Sequence, residues 1–188
     1  MPEAVDENGR PKNRNTHEKD ATMITVETLS DLKSHVGEDL GSSDWMLINQ
    51  ETINRFSEIT GDRNWYHIDA DRARHELPGG RTIAHGLLTL SLIPGLASQI
   101  VRVLNHGRAL NYGLNKVRFP TTVPVDSRLR LKMTVAGARS VTNGLMLTRL
   151  YTMELEGSQK PAMIAEMLTL IFDQPISRSH ERLPLRRP

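Results

Sequence analysis

The chain has 188 residues, with 38% apolar and 24% charged side chains, enough for one domain of ordinary size but lean for a wholly compact one. Lys plus Arg number 24 and Asp plus Glu 22, a net charge of +2 that gives no ground for a nucleic-acid binder. There is no cysteine, which excludes disulfide scaffolds, thiolate metal sites and cysteine nucleophiles. No apolar run reaches the ~18–20 residues of a membrane span, and no basic-then-apolar leader pattern opens the chain. A soluble, cytoplasmic protein with no membrane partner is the expectation.

Residues 1–22 hold almost no large apolar side chain and are expected to form a disordered N-terminal tail. Ile24, Val26, Leu29 and Leu32 have a mixed spacing that favours a short helix near Thr28–His35. Trp45–Ile48 reads as a short strand after a loop containing Gly37 and Gly41. Asn49 is then a candidate N-cap, and Ile53, Phe56 and Ile59 share one helical face before Gly61 stops the helix. Thr82 to Leu104 is apolar over most of its circumference, so it predicts a buried helix, kinked or split at Pro94–Gly95.

Beyond Leu110 the period changes to two. Asn111–Phe119, Arg128–Ala138, Leu145–Glu156 and Ala162–Phe172 predict four long strands, and Arg128–Val135 alternates strictly. Asn143–Gly144 predicts a hairpin and Glu156–Ser158 a second turn. The methionines at 133, 146, 153, 163 and 167 fall at strand positions and read as core filler. A central helix followed by an antiparallel sheet gives class α+β, with the sheet wrapped around the helix in a hot-dog fold. The domain is expected over 23–173, followed by a basic C-terminal tail over 174–188 containing Arg178, Arg182, Arg186 and Arg187.

Two segments carry candidate chemistry. Asp62 and His67 follow the helix stop at Gly61, and a carboxylate and an imidazole aimed at one point are equipment for general acid–base work. On one continuous helix, five residues would turn them ~140° apart, so convergence needs a loop between them. Spacing alone leaves open a helix-end aspartate beside a solvated histidine. Gly79-Gly80-Arg81-Thr82-Ile83-Ala84-His85-Gly86 opens the long helix, where unpaired backbone N–H groups attract a polarised carbonyl and Gly86 admits close approach. Thr82 as a helix cap after a flexible Gly79–Gly80 connection is the plainer alternative.

Together, Gly61-Asp62-Arg63-Asn64-Trp65-Tyr66-His67, the Gly80–Gly86 segment and Asn111–Pro120 resemble the MaoC-like dehydratases, which include R-specific enoyl-CoA hydratases. Trp65–Tyr66 stands where the family signature has Pro and an aliphatic residue, as in the nodulation protein N branch. The resemblance covers about Val36 to Phe172. It implies that Asp62 and His67 activate a water adding to C3 of a trans-2-enoyl thioester, with Gly86 N–H binding the thioester carbonyl. It implies Asn64, Tyr66, Thr82, His85 and Arg118 on the substrate side, with Asn64 orienting the loop or the water and His85 packed at the helix start. Lys116, Arg118 and Arg130 are candidate partners for coenzyme A phosphates, against the plainer reading of a solvated strand face. No metal or redox cofactor is implied; coenzyme A or acyl-carrier protein is part of the substrate, and the chain is expected to form a homodimer or higher homo-oligomer. A hot-dog thioesterase and a non-catalytic thioester-binding subunit of a dehydratase complex are the alternatives.

Overall fold

In a computed structural model, the described residues are 23–172 apart from 106 and 143, so both expected tails lie outside them. Strand β1 (Ile24–Val26) leads into a 3-10 helix, Leu29–His35, that starts at Thr28 as expected. There the Thr28 backbone N–H donates to the Asp31 carboxylate at 2.7 Å. Strands β2 (Asp39–Ser42) and β3 (Met46–Ile48) follow. Helix α1 (Gln50–Thr60) begins where Asn49 Oδ1 accepts the Thr52 N–H at 3.0 Å. It ends where Gly61 takes a left-handed φ of 76° that a side chain would strain. Ile53 is fully buried, whereas Ile59 is 85% exposed, so the apolar face of α1 is narrower than the spacing suggested.

After α2 (Trp65–Ile68) and α3 (Ala70–Glu76), the central apolar stretch differs from its sequence pattern at both ends. It comprises α4 (Gly86–Ser91) and α5 (Ile93–Ile100), separated at Leu92. Pro94 lies in the first turn of α5, where its missing N–H costs no helical bond. Thr82 is not the cap; His85 is. Val101–Val103 leaves the helix as strand β4 and pairs in parallel with β1. A β-branched, alternating Val-Arg-Val favours that pairing over another helical turn. The helix pair is also not buried all round: Leu88, Ile93, Leu96 and Ile100 face the core, but Leu87 is 60% exposed.

The sheet is the expected antiparallel one. Strands β5 (Ala109–Arg118), β6 (Ser127–Val141), β7 (Gly144–Leu155) and β8 (Met163–Phe172) run in the order β2-β6-β7-β8-β5, with β3 also on β6. Leu129, Leu131, Met133 and Val135 of β6 are buried while their neighbours face out, as the strict alternation predicts. A register shift between Val135 and Gly137 marks a bulge, a local bend that helps the sheet curl over α4 and α5. The β6–β7 hairpin is present, but Gly144 already pairs with Val141 as the first residue of β7 rather than lying in the turn, and Asn143 lies outside the described residues. The turn after β7 also falls where expected, with Gly157 at φ 74°. The five strand methionines are all buried.

Candidate active site

Asp62 and His67 do converge. Asp62 lies in the loop between Gly61 and α2, and His67 lies on the single turn of α2, so part loop and part helix replaces the continuous helix that would have separated them. A carboxylate oxygen of Asp62 and ring nitrogens of His67 and His85 lie within 4.8 Å of one another. The Asp62 carboxylate is exposed, and its Oδ1 accepts Asn64 Nδ2 at 2.6 Å. The loop is fixed through its backbone. The Asp62 carbonyl accepts both Ser57 Oγ at 2.6 Å and His85 Nε2 at 3.0 Å, which ties the loop to α1 and to the start of α4.

His67 is buried and held in one tautomer. Its Nδ1 lies 2.7 Å from the Ile83 carbonyl. A carbonyl only accepts, so Nδ1 carries the proton and Nε2 keeps its lone pair. Burial pushes the His67 pKa down from its ordinary value of 6.5, with further lowering from nearby His85. The Ile83 carbonyl and Asp62 oppose that shift without reversing it. The ring is therefore neutral and basic at neutral pH. Tyr66 packs edge-on against it at 4.4 Å between centroids.

The same argument assigns His85. Its Nε2 faces the Asp62 carbonyl and carries the proton which that carbonyl accepts, while Nδ1 is buried without a hydrogen-bond partner. Its ring stacks on His67 at 3.6 Å and 26°, and Phe56 packs against it at 5.1 Å. This stacking bears on metal binding. A metal lies in the plane of each imidazole that ligates it, at ~2.0–2.1 Å. Two near-parallel planes 3.6 Å apart do not meet within that reach, so a metal shared by both histidines would need one ring to turn.

Gly86 opens α4, and as its first residue its N–H has no acceptor within the helix. The space beside its Cα is not open, as close ligand approach from every side would require: a Cβ there would meet the Phe119 ring at 3.1 Å. Thr82 is 1% exposed, and its hydroxyl donates to Gln50 Oε1 at 2.5 Å. That bond commits the Thr82 hydroxyl to Gln50 at the start of α1. The Gln50 amide in turn donates to the His67 carbonyl at 2.8 Å. Arg118 is exposed at the end of β5, one residue before Phe119, and its guanidinium bonds the Val117 carbonyl. Arg130 pairs with Glu154 at 2.5 Å and lies over the Trp45 ring, so it is engaged within the fold, while Lys116 is exposed on β5.

Sequence reasoning passed over Gln50, Ser57 and Phe119, which hold His67, Asp62 and the surroundings of Gly86. Gln50 directly follows a clear N-cap, but nothing in its neighbourhood marks a partner 32 residues away.

Residues 31–154 match the family model described as a MaoC like domain. The chain belongs to this family. It is 47% identical over 147 residues to 3-hydroxyacyl-thioester dehydratase Z of Mycobacterium tuberculosis, covering 78% of this chain and 97% of that one. It is 35% identical over 153 residues to Nodulation protein N of Rhizobium leguminosarum bv. viciae, covering 80% and 95%. Among solved structures it is similar to an R-hydratase from Pseudomonas aeruginosa, with a TM-score of 0.59 at 20% identity over 81% and 92% of the two chains. It is also similar to the (R)-hydratase from A. caviae, with a TM-score of 0.60 at 21% identity over 72% and 96%. These likenesses place the MaoC-like chain in the hot-dog fold expected for it.

Proposed function

We propose that this MaoC-like chain is a hydro-lyase that interconverts trans-2-enoyl and (R)-3-hydroxyacyl thioesters. The carrying observation is the approach of the Asp62 carboxylate to a buried His67 whose Nδ1 is committed to Ile83, so that Nε2 is the free base. The close relative named as a 3-hydroxyacyl-thioester dehydratase supports the reaction type.

In the hydration direction, a water held between Asp62 and His67 Nε2 loses a proton to this pair as its oxygen bonds to C3. The C2–C3 π electrons move toward the thioester, and the carbonyl oxygen becomes an enolate oxyanion. Gly86 N–H donates to that oxygen, so charge develops against the positive end of α4. The proton taken from water then goes to C2, and the enolate electrons form the new C–H bond. Dehydration is the reverse sequence. Asn64 holds Asp62 through the 2.6 Å bond, which fixes the carboxylate that orients the water. Tyr66, edge-on against His67, contributes on the substrate side. His85 fixes the Asp62 backbone through its Nε2–H. Coenzyme A or a carrier protein enters with the substrate, and no step uses a metal or redox cofactor. Arg118, exposed beside Phe119, is positioned to meet the carrier's phosphates.

Association with a second copy belongs to the same reading. Strand β5 is an edge of the sheet, and Leu110, Tyr112 and Leu114 on it are each more than 40% exposed. Among the described residues, no helix is long and apolar enough to cross a membrane.

The test is hydration of crotonyl-CoA, followed by loss of the conjugated thioester's absorbance, with chiral analysis of the product. The (R)-3-hydroxy product is the expected result. Release of free thiol would replace this reading with a thioesterase, and the (S)-product would overturn the stereochemical assignment.

A further inference from the structure

The core-facing side of β7 breaks its own pattern. Leu147, Tyr151, Met153 and Leu155 point toward the helices and are buried, and strict alternation puts Arg149 on that same face. β7 is the central strand of the sheet, paired there with Val135 of β6 and Met167 of β8. A guanidinium at a core position of a central strand conflicts with the rest of the pattern, and such conflicts concentrate at functional sites.

Arg149 does not face solid packing. It lines a cavity of about 220 Å³ between β7 and α5, walled by Ile93, Ala97, Met133 and Met167. That exceeds the ~150 Å³ that accommodates benzene. Two polar atoms on the cavity's β7 side have no hydrogen-bond partner, Arg149 Nε and the Tyr151 hydroxyl, both buried. Tyr151 has 0% exposure. Of the guanidinium, Nη2 bonds Thr169 Oγ1 at 2.6 Å. Among the described residues, no carboxylate lines the cavity. Arg149 is half-buried, with its guanidinium 5.5 Å from the Tyr151 ring centroid, and a buried N–H and a buried hydroxyl without acceptors each carry a cost that an oxygen-bearing group reaching them would relieve. Burial pushes the Tyr151 pKa up, so its hydroxyl keeps its proton and donates.

We infer that this cavity receives the far end of the substrate's acyl chain and that Arg149 and Tyr151 select a chain ending in an anionic oxygen group, a carboxylate. The inference rests on the thioester reading above. Ile93 and Ala97 lie seven and eleven residues beyond Gly86 on the same helix pair, roughly 10 to 16 Å along it. The walls suit methylenes and the two donors suit a carboxylate. A phosphate would present more oxygens than these two donors satisfy.

The experiment compares kcat/KM for trans-2-octenedioyl-CoA with that for trans-2-octenoyl-CoA, equal in length and differing in the terminal carboxylate. The ratio favours the dioyl substrate by roughly tenfold to hundredfold, the worth of a charge-assisted hydrogen bond. Arg149→Met inverts it, and Tyr151→Phe, which keeps the shape of the core, lowers it. Because the readout is a ratio, general loss of activity in a variant does not mimic the effect. A ratio near or below one in the unaltered protein overturns the inference. If none of the thioesters is turned over, the hydratase reading falls and suberate binding by calorimetry decides: binding lost in Arg149→Met upholds a carboxylate pocket, and no binding overturns it. Free suberate that competes with octenedioyl-CoA supports a site for the substrate's own tail. Free suberate that instead raises or lowers the kcat for crotonyl-CoA identifies a separate effector carboxylate and overturns that assignment.

Discussion

The imidazoles of His67 and His85 stack 3.6 Å apart, and each bonds a backbone carbonyl, His67 through Nδ1 to Ile83 and His85 through Nε2 to Asp62. One bond leaves His67 Nε2 free as a base, and the other anchors the loop that presents Asp62. Two protonated rings at this distance would repel, which adds to burial in lowering the His67 pKa.

That relationship sets the pH dependence. Because the His67 pKa is lowered, chiefly by burial and also by His85, its basic form persists below pH 6.5. The kcat/KM profile therefore has its acid limb below 6.5. His85→Asn removes a like charge and moves the limb upward, whereas Asp62→Asn removes an opposite charge and moves the limb of any residual activity downward. The sign for stability follows: the unfolded chain binds the proton more readily, so the contribution of neutral His67 is complete above 6.5 and lost as pH falls toward the folded pKa. Thermal unfolding at stepped pH checks this, and an acid limb at or above 6.5 would contradict it.

Gly86 and Phe119 are coupled by contact. Gly86→Ala places a methyl at 3.1 Å from the Phe119 ring, tight enough that the ring must shift. Turnover falls, and Gly86→Ala combined with Phe119→Leu recovers part of it, giving a non-additive double-mutant cycle. Additive effects would show that the two do not act together.

Ser57 holds the Asp62 loop from behind. Ser57→Ala leaves the Asp62 carbonyl with His85 alone and lowers stability by about 1 kcal/mol, the usual worth of one hydrogen bond. Denaturant unfolding measures it. The same variant loses kcat more than KM, because a looser Asp62 affects water activation rather than thioester binding.

Features set by local signals were legible in the sequence. Asn49 and Gly61 mark the ends of α1 because capping is a matter of adjacent residues, and β6 is legible because one of its faces is wet. Asp62 and His67 were legible as a pair once Gly61 was read as a stop. What depends on distant partners was not. Thr82 looks like a helix cap but its hydroxyl serves Gln50, and Val101–Val103 looks helical until β1 is beside it. Ile59 fits the apolar spacing of α1 and is exposed, because no element among the described residues covers that side. Arg149 was readable from the alternation of β7, but only a cavity opposite it distinguishes a misplaced cation from a binding group.

The most direct measurement is the turnover of crotonyl-CoA by Asp62→Asn and His67→Ala beside the unaltered protein, with circular dichroism to verify folding. A general acid–base group accounts for roughly 10²–10⁴-fold in rate, so each variant loses turnover on that scale while remaining folded. Full activity in either folded variant would contradict the assignment of that residue, and in both would contradict the acid–base account of this site.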